Sequence, residues 1–81
     1  DKIHSFMTDC LTSADDECVT GAMVYKAYKS WCQDSGYQAE GKQAFYRELR
    51  ERKIMVDSCT VKGVTKRNVV PNCTLAGGVY V

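Results

Sequence analysis

Apolar residues recur at helical spacing along the first half of the chain. Ile3, Phe6, Met7, Cys10 and Leu11 fall at i, i+3, i+4, i+7 and i+8, which predicts an amphipathic helix over about residues 1–12. Ser13 to Glu17 reads as a polar, acidic connector. A second helix is predicted from Thr20, whose hydroxyl can accept from an amide of the first turn, to Gly36, which tolerates the left-handed backbone that ends a helix. Its inner face carries Val24, Ala27, Tyr28 and Trp31, flanked by Tyr25 and Cys32, with Lys26, Ser30 and Gln33 on the outer side. Glu40 to Lys53 holds no proline and is rich in helix formers, so a third helix is expected there. Its apolar side is narrow: Phe45, Leu49 and the aliphatic stem of Arg52.

Beyond Lys53 the pattern turns β-prone. Ile54 to Val61 and Val64 to Val70, separated by Lys62-Gly63, predict a hairpin with a short turn. Pro71 is expected to stop the ladder, and residues 76–81 to form a flexible tail. A short strand around Glu17 to Val19 is a candidate to pair with the hairpin. Helix, helix, helix, hairpin, with Ser35 to Ala39 as the turn between the second and third helices, predicts an α+β fold over residues 1–75. The expected form is a winged helix-turn-helix, three helices plus a C-terminal β-hairpin wing.

Charge sharpens this picture. The net charge of +1 conceals an asymmetry, with three basic and seven acidic residues over 1–41 but eight basic and three acidic residues over 42–81. All eight of those basic residues lie between Lys42 and Arg67, a field suited to a polyanion. On the third helix Gln43, Tyr46, Arg47 and Arg50 share one strip, at i, i+3, i+4 and i+7, facing away from Phe45 and Leu49. A helix that enters the DNA major groove needs such donors: Arg pairs with guanine, Gln with adenine, and either can hold a phosphate. Tyr46 offers a hydroxyl to a phosphate or a ring to an exposed base. Lys62, Lys66 and Arg67 form a second basic cluster at the hairpin tip, and Lys42, Arg52 and Lys53 add charge near the two ends of the helix.

Other chemistry finds little support. Eighty-one residues allow one small domain, and 44% hydrophobic with 26% charged residues is an ordinary globular balance. No apolar run approaches the roughly 20 residues that cross a bilayer, so no membrane partner is expected. The chain opens on Asp1 and is read as a piece of a longer protein. Cys10, Cys18, Cys32, Cys59 and Cys73 make no CxxC pair and His4 is the single histidine, so neither a zinc site nor a disulfide framework is expected. Free thiols packed as small hydrophobes point to a reducing cytoplasm. Asp15, Asp16 and Glu17 lack the second cluster that would complete a metal sphere. There is no Gly-rich phosphate loop, no HExxH and no nucleophile with an obvious base. Neither a cofactor nor an enzymatic activity is expected of this chain.

One stretch carries a resemblance. Val24-Tyr25-Lys26-Ala27-Tyr28-Lys29-Ser30-Trp31-Cys32, then Gly36, Gln43-Ala44-Phe45 and Leu49-Arg50-Glu51-Arg52, resembles the C-terminal winged-helix domain of phage and plasmid primase–helicase replication proteins, which carry a superfamily-three helicase. Phe6-Met7-Thr8-Asp9-Cys10 is similar to the helix that follows the helicase module in that family. The resemblance spans about residues 3–70 and departs after Asn68, where Val69-Val70-Pro71-Asn72 replaces a Trp-Gly-Ile-like ending. It implies a replication protein of a phage, prophage or plasmid, working in the bacterial host cytoplasm, whose primase and ATP-driven helicase lie outside this chain. The implied role is contact with duplex DNA, origin DNA included, through the third helix and the wing. The alternative is a protein–protein module that docks on the primase or helicase parts of its own parent. A dimeric operator-binding regulator is a third reading, but the chain shows no apolar stripe beyond its core faces.

Overall fold

A computed structural model describes residues 2–75. Its elements run α1 (Lys2–Cys10), β1 (Leu11–Thr20), α2 (Gly21–Ser35), α3 (Lys42–Glu51), β2 (Val56–Val61) and β3 (Val64–Leu75). The strands form one antiparallel sheet in the order β1-β3-β2. The flexible tail expected over 76–81 lies outside the described residues.

This arrangement overturns the expectation of a winged helix built from three helices and a two-stranded C-terminal hairpin. Ser13 to Glu17 is not a connector but part of a ten-residue strand inserted between the first two helices. The reason lies in the length of β3. Its twelve residues outrun the six of β2, whose pairing ends at Val56 opposite Val69. The rest of β3 has no partner in β2, and β1 pairs with it along the opposite edge, with Cys18, Val19 and Thr20 opposite Pro71, Val70 and Val69, and Leu11 opposite Leu75. Pro71 therefore does not stop the ladder. It sits beside a shift of register between Ser13 and Cys18, where the missing amide of a proline is tolerated. Asp16, Asn68 and Asn72 take positive φ (57°, 52° and 58°), a backbone that Asp and Asn adopt more readily than most residues.

The helices follow the pattern closely. Thr20 caps α2 by accepting from the Met23 amide at 3.3 Å, and Gly36 ends it in the left-handed region at φ 79°. Val24, Ala27, Tyr28, Trp31 and Cys32 are buried on α2, Ile3, Phe6 and Cys10 on α1, and Phe45 and Leu49 on α3. Phe6 lies edge-on to Tyr28, Trp31 and Phe45, while Tyr28 and Phe45 stack with centroids 4.2 Å apart. Val19, Met55, Val70 and Cys73 close the core from the sheet side. The five cysteines are free thiols, and burial pushes the Cys10 thiol up to about 11, with Asp9 adding to the shift. Burial raises Cys73 as well, and nearby Cys18 adds to the shift.

One partly exposed network ties α1, α2 and the turn before α3 together. The Tyr28 hydroxyl donates to the Glu40 carboxylate, Lys2 pairs with Glu40 at 2.7 Å and donates to the Gln38 carbonyl at 2.8 Å, and the Tyr25 hydroxyl donates to the Glu40 carbonyl at 2.9 Å. Burial, followed by the bond to Glu40, drives the Tyr28 phenol well above the ordinary tyrosine range. Lys2 first, then Tyr28, hold the Glu40 carboxyl below its ordinary value of 4.5. The unfolded chain thus binds more protons near that pH. The stabilisation is complete above about 4.5 and is lost as pH falls through the lowered folded value. Glu40→Gln is expected to lower the melting temperature at neutral pH and to shrink the drop in melting temperature between neutral pH and about pH 3, as read by circular dichroism.

The start of α2 packs without space to spare. A Cβ on Gly21 would lie 2.7 Å from Met55 Cε and 3.0 Å from the Asn68 carbonyl oxygen, which is backbone and cannot rotate away. Gly21→Ala is expected to destabilise the fold by about 1–3 kcal/mol in urea unfolding, despite alanine's better helix propensity. A stability equal to or above that of the parent chain would contradict the close packing.

Candidate functional site

The residues of α3 sort themselves around its axis once Phe45 and Leu49 are turned inward. Lys42 and Tyr46 face α2, Gln43 and Arg50 come next, Arg47 stands opposite the core, and Glu51, Ala44 and Glu48 complete the circuit toward α1. Lys42, Gln43, Arg47 and Arg50 are exposed and Tyr46 is half-buried, so the strip expected from the spacing is present on the surface.

Partners divide these residues more sharply than exposure does. Arg50 donates to the Asn68 side chain and lies 3.5 Å from Asp57, binding α3 to the hairpin. Arg52 pairs with Glu48 at 2.8 Å, one turn back on the same helix. By contrast, Lys42, Arg47, Lys53, Lys62, Lys66 and Arg67 make no ion pair among the described residues. Lys42 sits over the Tyr46 ring, 5.8 Å from its centroid. Tyr46 itself is half-buried between Tyr25, Phe45 and the start of α2.

The expected residues do not all come together. Lys53 lies past the far end of α3, roughly 15 Å along the axis from Lys42. It borders a depression lined by Met7, Leu11, Ile54 and Pro71. The hairpin cluster has a neighbour that the linear charge pattern hides: Lys62 and Lys66 share a depression of about 280 Å³ with Asp16 and Glu17 of β1. The acidic run thus faces the basic tip and offsets part of its field. Arg67 pairs in register with Ser58, and its side chain is exposed. On the other flank of α3, Arg47 borders a depression whose walls include Glu40, Glu48 and Glu51, so the positive field fades toward α1.

Two contacts went unmarked in the sequence reading. One is the tie from Arg50 to Asn68 of β3, residues far apart in the chain that no local pattern brings together. The other is Lys29 of α2, 5.8 Å from the centroid of the Tyr25 ring. Lys29 and Tyr25, like Lys42 and Tyr46, are four residues apart on one helix, so the i,i+4 spacing was legible. No group of three His, Cys, Asp or Glu residues converges on a metal position among the described residues.

Comparison with known proteins adds the family. The model for Poxvirus D5 protein-like sequences matches residues 1–76. The chain belongs to the Poxvirus D5 protein-like family. This is a small, non-catalytic domain found in D5-type primase–helicase replication proteins, in agreement with the resemblance carried by the Tyr25 to Cys32 and Gln43 to Arg52 segments. No curated protein and no solved structure gave a match. No helix among the described residues of the D5-like domain is long and apolar enough to cross a membrane.

The split between tied and untied arginines can be measured. In the D5-like domain Arg50→Ala is expected to cost about 0.5–1.5 kcal/mol of stability in urea unfolding, because it removes a charged donor from Asn68 and Asp57. Arg47→Ala should stay within about 0.5 kcal/mol of the parent.

Proposed function

We propose that this D5-like domain binds DNA and positions a larger replication enzyme on it. The observation that carries the reading is the exposed face of α3, where Lys42, Gln43 and Arg47 stand side by side with no ion pair among the described residues. Unpaired cations on a surface are hydrated and screened by counterions, and a polyanion that replaces those counterions gains their release. Gln43 and Arg47 supply the hydrogen-bonding groups that can distinguish bases in a duplex groove, while Lys42 holds a phosphate. Lys66 and Arg67, with Lys62 at the turn, reach an adjacent stretch of backbone. Arg50 acts from behind, by fixing the angle between α3 and the hairpin that carries these residues.

Membership of a family found in D5-type primase–helicase proteins supports this reading. A domain of such a parent that lacks catalytic machinery serves by placing the machinery on its template. The parent is read as a phage, prophage or plasmid protein with this domain near its C-terminus and duplex DNA, origin DNA included, as its partner. A second reading, docking on the parent's own helicase or primase module, is favoured by Tyr37, which is 49% exposed although it stacks on Trp31 at 5.3 Å.

Fluorescence anisotropy with labelled duplex separates the two. DNA binding predicts saturable affinity that falls with salt, with a log–log slope of roughly −0.9 per phosphate neutralised. Arg47→Ala is expected to weaken it by about 1–3 kcal/mol when the contact is to a base. Absence of saturable duplex binding at low salt would remove the DNA reading and leave docking, for which Tyr37→Ser would then weaken association with the parent's helicase module.

A further inference from the structure

The cationic face of α3 does not end at α3. Toward α1 it meets the carboxylates of Glu48 and Glu51, while on the α2 side the Glu40 carboxylate is already held by Lys2 and Tyr28. Lys42 rests over Tyr46, Tyr46 meets Tyr25 edge to face with centroids 6.5 Å apart, and Lys29 rests over Tyr25. The two ammonium groups are therefore linked across the crossing of the helices by a pair of rings fixed in the core, with the Tyr25 hydroxyl anchored on the Glu40 carbonyl at 2.9 Å. Lys26 and Lys29 share the exposed stripe of α2 with Ala22 and Gln33, at the spacing of one helix face. Neither lysine makes an ion pair among the described residues, and the one acidic residue of α2, Asp34, lies at its far end.

Lysines left without carboxylates are common on surfaces. Two of them, each held over a tyrosine ring and joined through those rings to a neighbouring donor strip, form a directed track. Cation–π contact limits the rotamers of a flexible ammonium, so less side-chain entropy is lost when a phosphate takes the other side of the charge. The edge-to-face ring pair between them is partly exposed and apolar and can pack against a sugar, while the ammonium groups suit the phosphates on either side.

We propose that Lys26 and Lys29 of α2 are phosphate contacts, so that one phosphodiester strand runs from Lys42 over the Tyr46–Tyr25 pair to Lys29. This rests on the DNA reading of α3 and extends its footprint onto a second helix. The contacts are to the backbone and carry no base preference, which sets them apart from those of Gln43 and Arg47.

The test compares three chains on one labelled duplex and on a second duplex of unrelated sequence: the 81-residue chain, its Arg47→Ala variant, and the double variant Lys26→Ala/Lys29→Ala. Each is titrated over a range of salt. The double variant is expected to weaken binding by the same factor on both duplexes and to make the salt slope shallower by about 0.9 for each lysine. Lys26→Arg/Lys29→Arg should restore the slope, which separates loss of charge from loss of structure. Unchanged affinity and slope in the double variant, with Arg47→Ala still defective, would overturn the α2 contacts and leave the α3 reading intact. Failure of the parent chain to bind either duplex would overturn both.

Discussion

The stack of Phe45 on Tyr28 is the contact on which the rest of the molecule depends. It joins the two helices that form the candidate interface, with centroids 4.2 Å apart and both side chains fully buried, and Phe6 of α1 closes edge-on against both rings. Aromatic pairs of this kind contribute about 0.5–1.5 kcal/mol beyond the area they bury. Their larger effect here is orientation. Phe45 and Leu49 are the only fully buried side chains of α3, so the stack decides how the helix is rotated and which residues reach solvent. Turned this way, α3 presents Gln43 and Arg47 outward and sends Arg50 to the hairpin. The hydroxyl of the same Tyr28 binds Glu40, and through it Lys2, so the turn that launches α3 is tied to α1 as well.

The helices were legible because each one solves its burial problem locally. Ile3, Phe6 and Cys10, or Val24, Ala27, Tyr28 and Trp31, mark an inner face by spacing alone, and Thr20 and Gly36 carry the chemistry of a start and a stop. The third helix was drawn two residues long at each end, since Glu40 and Gly41 are drawn into the turn and the chain reverses at Lys53, where φ is 60°. The strand β1 was not legible as a whole. Between Leu11 and Val19 its residues are mostly polar or acidic and half to fully exposed, and Val19 is its one buried residue. What makes it a strand is the second half of β3, which has no partner in β2, a non-local demand. The same cause hid the passage of β3 through Pro71, since the rule that a proline ends a ladder fails where a register shift makes room for it.

The candidate site divides along the same line. Position on α3 followed from periodicity, so Gln43, Arg47 and Arg50 are exposed with Tyr46 half-buried beside them, and Lys42 stands at the helix start. Charge pairing did not follow, because it depends on what other elements bring near. Asn68 and Asp57 claim Arg50, Asp16 and Glu17 come to the side of Lys62 and Lys66, and Lys53 ends up against an apolar depression instead of the strip. The two basic patches read from the sequence thus differ in their neighbours: the hairpin tip has carboxylates of β1 beside it, while Lys42 and Arg47 make no ion pair among the described residues. Family membership, in turn, speaks for a replication setting and says nothing about which of these patches meets DNA.

The most direct test of this account is a nitrogen–proton correlation spectrum of the labelled domain, recorded while unlabelled duplex DNA is added. Backbone and side-chain signals of Lys42 to Arg47 are predicted to move first and furthest, with those at the start of the hairpin's second strand following at higher ratios. Signals around Asp9, Trp31 and Tyr37 should stay in place. Shifts concentrated at Tyr37 and Trp31, or none at all under low salt, would contradict the claim that the α3 face is the surface that meets DNA.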